Sequence, residues 1–156
     1  MTDYAVYLVT DSSLVPENRS FLGQVEAAIN NGATIVQLRE KELSTRDFIE
    51  RAEEVHKVTK AKGIPLIIND RVDVALAVDA EGVHVGQDDM DVVTVRRLIG
   101  KDKLLGVSIS NVEEARGAIR DKAMLDYVGI GAVFDTSTKQ LKKRPMDASG
   151  VRRLLN

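Results

Sequence analysis

Cysteine is absent from the 156 residues. That excludes disulfides, thiolate metal ligands and a cysteine nucleophile, and it agrees with a reducing, cytoplasmic compartment. Histidine is scarce: His56 and His84 are the only two, and isolated histidines without cysteine do not make a convincing metal site. His84, inside the apolar stretch GVHVG, reads as structural, and His56, on a helix, as a surface residue. An excess of charge of one sign is also missing. The 22 basic and 24 acidic residues are interspersed and leave a net −2, so no broad positive field exists to draw nucleic acid or anionic lipid. Any anion site must be local. There is no long apolar run either: in MTDYAVYLVTDSS the apolar stretch covers only Ala5 to Val9 and follows an acid. It reads as a first buried strand, not a signal peptide or membrane span. No G-x-G-x-x-G follows that strand, which weighs against dinucleotide binding.

What is present is a chain 44% hydrophobic and 29% charged, enough to bury a core in one globular domain. Runs rich in Val, Ile and Leu recur: YAVYLVT from Tyr4, TIVQLRE from Thr34, PLIIND from Pro65, GVHVG from Gly82, LLGVSIS from Leu104 and YVGIGAVF from Tyr127. Their apolar residues do not simply alternate with surface ones, so each reads as a strand covered on both faces. Helical segments lie between them. Ser44 with Asp47 opens one that carries Phe48, Ala52, Val55 and Val58 and stops at Gly63 and Pro65; Asn111 with Glu114 opens another. Gly32, Gly63 and Gly100 stand where left-handed C-terminal residues are wanted. Six βα units imply right-handed crossovers and a parallel sheet, closed as a barrel or open as a doubly wound sheet. An eight-stranded barrel runs to roughly 200 residues or more, so residues 1–156 read as a single, incomplete (β/α)8 TIM-barrel domain with about six βα units.

Strand periodicity puts Ile35, Gln37, Arg39 and Lys41 on one face, with Val36 and Leu38 on the other. In a barrel the first set runs up the interior to the C-terminal mouth, where such folds hold their active sites. Two cations there call for an anion; on a solvated loop they would instead pair with Glu40 or Glu42. Asn69 and Asp70 end the third strand, and Asp88 and Asp89 follow the fourth. One or two carboxylates plus phosphate oxygens is the usual way to hold magnesium, making Asp70 and one of Asp88 or Asp89 candidate ligands beside a pyrophosphate. Read singly, ND and DD would be turn and capping residues. Gly106, Ser108 and Ser110 share a face of the fifth strand, and Gly129, Gly131 and Val133 one of the sixth; such small residues leave room for a ligand or equally mark close backbone packing. Thr136, Ser137, Thr138 and Lys139 read as a phosphate cradle of hydroxyls, amides and a cation, against the alternative of an ordinary polar loop; Lys142, Lys143 and Arg144 read as solvated.

Taken in order, QLREK, IINDR, GVHVGQDD, LGVS and GIGAVFDTSTK resemble thiamine-phosphate synthase over nearly the whole chain. The opening YLVTDSSLVPENRSFLGQVEAAI is similar to the synthase half of the fungal bifunctional enzyme. The resemblance implies a magnesium-assisted transferase that joins hydroxymethylpyrimidine pyrophosphate to hydroxyethylthiazole phosphate, giving thiamine phosphate and pyrophosphate. It implies that Gln37, Leu38, Arg39, Glu40, Lys41 and Asn69 bind the pyrimidine pyrophosphate and that Asp70 and Asp89 hold magnesium. Ser108 and Lys139 would contact the pyrophosphate and Thr136, Ser137 and Thr138 the thiazole phosphate, with Arg39, Lys41 and Lys139 as the catalytic cations.

The family's last two strands are not matched, which implies a C-terminally truncated barrel whose open edges need a second copy or a missing segment to cover them. Two other readings compete. One is a noncatalytic remnant that binds the pyrimidine pyrophosphate only. The other is a thiazole tautomerase-like protein, which would have no pyrophosphate or magnesium to hold and so no use for QLREK, IINDR and GQDD. The partners expected are small-molecule substrates, with no nucleic acid and no membrane.

Overall fold

The computed structural model describes residues 2–135, 145 and 147–155, of which 154 and 155 are described by their main chain alone. Strands and helices alternate from the start: β1 (Tyr7–Val9), a single 3-10 turn (Ser12–Leu14), α1 (Phe21–Asn30), β2 (Ile35–Leu38), α2 (Thr45–Ala61), β3 (Leu66–Asn69), α3 (Val72–Ala77) and β4 (Gly82–Val85). They continue with α4 (Val92–Ile99), β5 (Leu104–Ile109), α5 (Val112–Arg120), β6 (Tyr127–Ile130) and α6 (Asp147–Leu155). All six expected strands form. The residues group into two compact units, one running to His84 with Ile99–Leu104 added, the other comprising Val85–Leu98 and the described residues from Leu105 on.

In the first unit β1, β2, β3 and β4 pair in parallel, in register Val9 with Gln37, Gln37 with Ile67, and Asn69 with His84. Their C-terminal ends therefore share one side. Every residue of β2, β3 and β4 is buried, as continuous apolar runs covered by helices should be. From α2, Phe48, Ala52 and Val55 are at most 1% exposed; their i, i+4, i+7 spacing is one helical face. Ser44 caps this helix by accepting from the Asp47 amide at 3.2 Å, and Gly63, at φ 66°, follows its end in the left-handed conformation.

In the second unit β5 pairs in parallel with β6, Ser108 opposite Gly129. Asn111 caps α5, accepting from the Glu114 amide at 2.9 Å while Glu114 accepts from the Asn111 side chain at 2.8 Å. Opposite β6, Gly106 leaves space for the Tyr127 ring: a Cβ there would lie 2.1 Å from Cζ.

Three expectations need correcting. β1 and β6 are not covered on both faces, since Val9 is 51% and Val128 41% exposed; β1 is bordered by β2 alone among the described residues. β1 also begins at Tyr7 rather than Tyr4, because Asp3 accepts from the Ala5 amide at 2.9 Å and turns the chain there. His56 is not a surface residue. It is buried, with Nδ1 3.0 Å from the Val78 carbonyl and Nε2 3.0 Å from Glu81, whose other oxygen accepts from the Leu66 amide. His84 is buried as expected.

Candidate functional site

β2 ends at Leu38, earlier than the seven-residue run suggested, so Arg39, Glu40 and Lys41 lie in the segment just beyond the strand. The alternation of partners nevertheless persists. Gln37, buried in the strand, donates from Nε2 to the Tyr7 hydroxyl at 2.8 Å, and Leu38 is fully buried.

Arg39 pairs through Nη1 with Asp11 at 2.9 Å, and its amide donates to Thr10 Oγ1 at 3.1 Å. Glu40 turns instead to α2: Oε1 accepts from Arg51 Nη1 at 2.9 Å and Oε2 from Ser12 Oγ at 2.7 Å. Its side chain is only 2% exposed. The Arg51 guanidinium in turn lies 4.8 Å from the centroid of the Phe21 ring on α1, within cation–π range. Lys41 forms an ion pair with Asp70. Neither cation pairs with Glu40 or Glu42, as a solvated R-E-K segment would.

Asn69 is buried at the end of β3. Asp70 adopts φ 62°, a left-handed conformation uncommon outside glycine, and its amide donates to the His84 carbonyl at 2.8 Å. The ends of β1, β2 and β3 thus bring together Asp11, Arg39, Lys41, Asn69 and Asp70. The Asp11 carboxyl is held below its ordinary pKa, first by the hydrogen bond from the Ser13 hydroxyl and further by the Ser13 amide and Arg39; burial opposes this. The hydroxyl bond is 2.5 Å long. A cavity of about 430 Å³ between α1 and α2, lined in part by Ile29, Val58 and Ala61, contains none of these residues.

In the second unit Asp89 is exposed and folds back on its own loop, accepting from the Gly86 amide at 2.8 Å. A Cβ on Gly86 would sit 2.8 Å from that carboxylate, so a glycine permits the close approach. Gln87 donates to the Ser108 carbonyl at 2.7 Å, which ties the loop after β4 to β5. Ser110 bonds Glu114 through both its amide and its hydroxyl. It therefore serves the start of α5. Thr136, Ser137, Thr138 and Lys139 lie outside the described residues, as do Lys142, Lys143 and Arg144.

The residues that sequence reasoning missed are Thr10, Asp11, Ser12 and Arg51. The first three follow β1 in LVTDSS, and the rule that parallel strands present their C-terminal ends together applied to them as much as to IINDR. Arg51 had no such signal, because a single arginine on a charged helix looks like any solvated one.

A family profile described as thiamine monophosphate synthase matches residues 6–156. The chain is 55% identical over 152 residues to the thiamine-phosphate synthase of Chloroflexus aurantiacus, covering 97% of this chain and 68% of that one. It is 48% identical over 153 residues to the probable thiamine biosynthetic bifunctional enzyme of Schizosaccharomyces pombe, covering 98% of this chain but only 29% of that protein. Among solved structures, the thiamine phosphate pyrophosphorylase from Pyrococcus furiosus superposes with a TM-score of 0.80 at 35% identity, over 96% of this chain and 68% of that one. The chain thus spans under a third of the bifunctional relative and about two thirds of the others.

Proposed function

Since the chain belongs to the thiamine monophosphate synthase family, we propose that the whole protein joins hydroxymethylpyrimidine pyrophosphate to hydroxyethylthiazole phosphate, a transferase step of thiamine biosynthesis. The observation that carries this reading is the group at the ends of β1, β2 and β3. Arg39 and Lys41 leave the end of β2 with their charges balanced by Asp11 and Asp70, so two cations are pre-positioned where an anion with several negative oxygens can exchange with carboxylates.

In the reaction the bond from the pyrimidine methylene to the pyrophosphate oxygen breaks, and its electron pair leaves with pyrophosphate. The thiazole nitrogen lone pair forms the new C–N bond. That nitrogen carries no hydrogen, so no general base is required. The demand is for stabilisation of the leaving anion, which fixed cations supply without reorganising. Arg39 offers a planar fork for two oxygens and Lys41 a point charge; Lys139 completes the set by motif. Gln37 and Asn69, buried polar groups beside them, would orient the pyrimidine end, Ser108 the pyrophosphate, and Thr136, Ser137 and Thr138 the thiazole phosphate. The Leu38 and Glu40 side chains are both turned into the protein; the Leu38 main chain is engaged in the ladder with β3, and Glu40 would meet the substrate only through its main chain.

Among the described residues no group of three or more histidine or acidic side chains is gathered to hold a metal unaided. Asp70 and Asp89, matched by motif, would each supply one carboxylate, which suits magnesium because that ion takes one or two and completes its shell with phosphate oxygens and water. Magnesium, when bound, would neutralise charge on the pyrophosphate.

We expect small-molecule substrates, and a cytoplasmic location in keeping with the lack of cysteine. No helix among the described residues is long and apolar enough to cross a membrane. A second copy or a further strand would be expected against the exposed edge of β1. Incubation of the protein with both substrates and magnesium tests the reading, with thiamine phosphate and pyrophosphate measured together. Both should appear in equal amounts. Binding of the pyrimidine pyrophosphate without product would favour a noncatalytic protein, and isomerisation of the thiazole alone a tautomerase.

A further inference from the structure

Glu40 is an acid beside a cluster expected to receive an anion, and its carboxylate is almost completely withdrawn from solvent. Burial of a charge is unfavourable unless it is paired and hydrogen-bonded, and here both oxygens are engaged, by Arg51 from α2 and by Ser12 from the turn after β1. The side chain therefore anchors the main chain of residue 40 from the helix side. Its two neighbours, Arg39 and Lys41, are the cations, each one Cα step of about 3.8 Å away. Ser12 also follows Asp11 directly, so two consecutive residues hold two consecutive partners, Asp11 with Arg39 and Ser12 with Glu40. The Thr10 amide donates to the Gln37 carbonyl at 2.9 Å and Thr10 Oγ1 accepts from the Arg39 amide. These bonds stitch the two strand ends together on both sides of the segment.

We propose that Glu40 is a positioning residue, and that the Ser12–Glu40–Arg51 network fixes Arg39 and Lys41 at the separation that receives a pyrophosphate group. This rests on the functional reading above. It also makes a prediction opposite in sign to simple Coulomb reasoning. If Glu40 acted only through its charge, removing that charge would relieve repulsion and tighten anion binding. If it positions the cations, removing the charge loosens the segment and weakens binding.

The test is calorimetric titration with inorganic pyrophosphate in the presence of magnesium, using the unaltered protein, Glu40→Gln, Arg39→Ala and the double variant. Glu40→Gln should bind roughly 10- to 100-fold more weakly, the range found for residues that orient a ligating group from behind. In the Arg39→Ala background the same change should lose distinctly less, because part of what Glu40 positions is already gone. Equal or tighter binding by Glu40→Gln, with normal binding by the unaltered protein, would overturn this inference while leaving the functional reading standing. Absence of binding by the unaltered protein would overturn both. Should Glu40→Gln lose its far-UV circular dichroism, Ser12→Ala removes one of the two bonds alone and should weaken binding in the same direction by a smaller factor; unchanged binding there would likewise overturn it.

Discussion

Replacing Arg51 with methionine measures how strongly the helix side of the site depends on one ion pair. The variant leaves the Glu40 carboxylate, 2% exposed, without its cation. Loss of one partner from a fully buried pair costs about 3–5 kcal/mol. Two features reduce that here: Arg51 is itself 30% exposed, and Ser12 keeps its bond to the other oxygen. The guanidinium contact with the Phe21 ring is worth about 0.5–1 kcal/mol at a partly exposed position, and a methionine sulfur against the same ring returns about as much. A net loss of about 2–4 kcal/mol follows. In urea unfolding the midpoint should fall with little change in slope, because the surface exposed on unfolding is nearly the same. At about 2–4 °C per kcal/mol for a chain of this size, the melting temperature should fall by roughly 4–16 °C. The decisive comparison is Arg51→Met with Glu40→Gln added. Neutralising the stranded carboxylate should recover more than half of the loss, a coupling that neither single change contains. A double variant no more stable than Arg51→Met would refute the claim that an uncompensated buried charge is the cause.

Gly82→Ala should destabilise by about 1–3 kcal/mol, towards the upper end, since the added Cβ would lie 2.5 Å from the Leu104 carbonyl oxygen and 2.7 Å from Ile67 Cδ1. The Leu104 amide donates to the Glu81 carbonyl at 2.8 Å, which holds its main chain in place; unchanged stability in denaturant would show that it yields. Asp11 links the site to pH. Its carboxyl is depressed in the folded protein, chiefly by Ser13. The stability it contributes is therefore complete above its unfolded value of about 3.9 and disappears as pH falls through the lowered folded value. In Ser13→Ala a carboxyl-detected NMR titration should find Asp11 closer to its ordinary value, and an unmoved titration would contradict the assigned cause.

Most of the architecture could be read from residue patterns because the middle strands are buried on both faces. IVQL, LIIN and GVHV carry enough apolar residues in short enough runs that no helix competes, and the glycines after α1, α2 and α4 mark where those helices stop. The boundaries were harder. Tyr4 looked like part of a strand, but the Asp3 turn overrides its β preference, and the strand expected through Glu40 closes at Leu38. At the site, Arg39, Lys41, Asn69 and Asp70 could be found from strand ends alone. The same rule reaches Asp11 at the end of β1; what it does not give is who pairs with whom, because Asp11 meets Arg39 across 28 positions of sequence. His56 shows the same limit: a polar residue among Glu53, Glu54, Lys57 and Lys60 reads as solvated, and only the fold brings the Val78 carbonyl and Glu81 to its two nitrogens.

The pairing of Asp11 with Arg39 and Ser12 with Glu40 also constrains how the gene can drift. Because consecutive residues meet consecutive partners that face opposite ways, a one-residue insertion after Thr10 would offer Arg39 a mismatched neighbour and put an acid where buried Glu40 now meets a hydroxyl. Compensation would require a matching insertion after Leu38 in the same lineage. Within this protein's descendants the two loops should therefore change length together or not at all, while the exposed turn between Pro16 and Arg19 is free to grow or shrink.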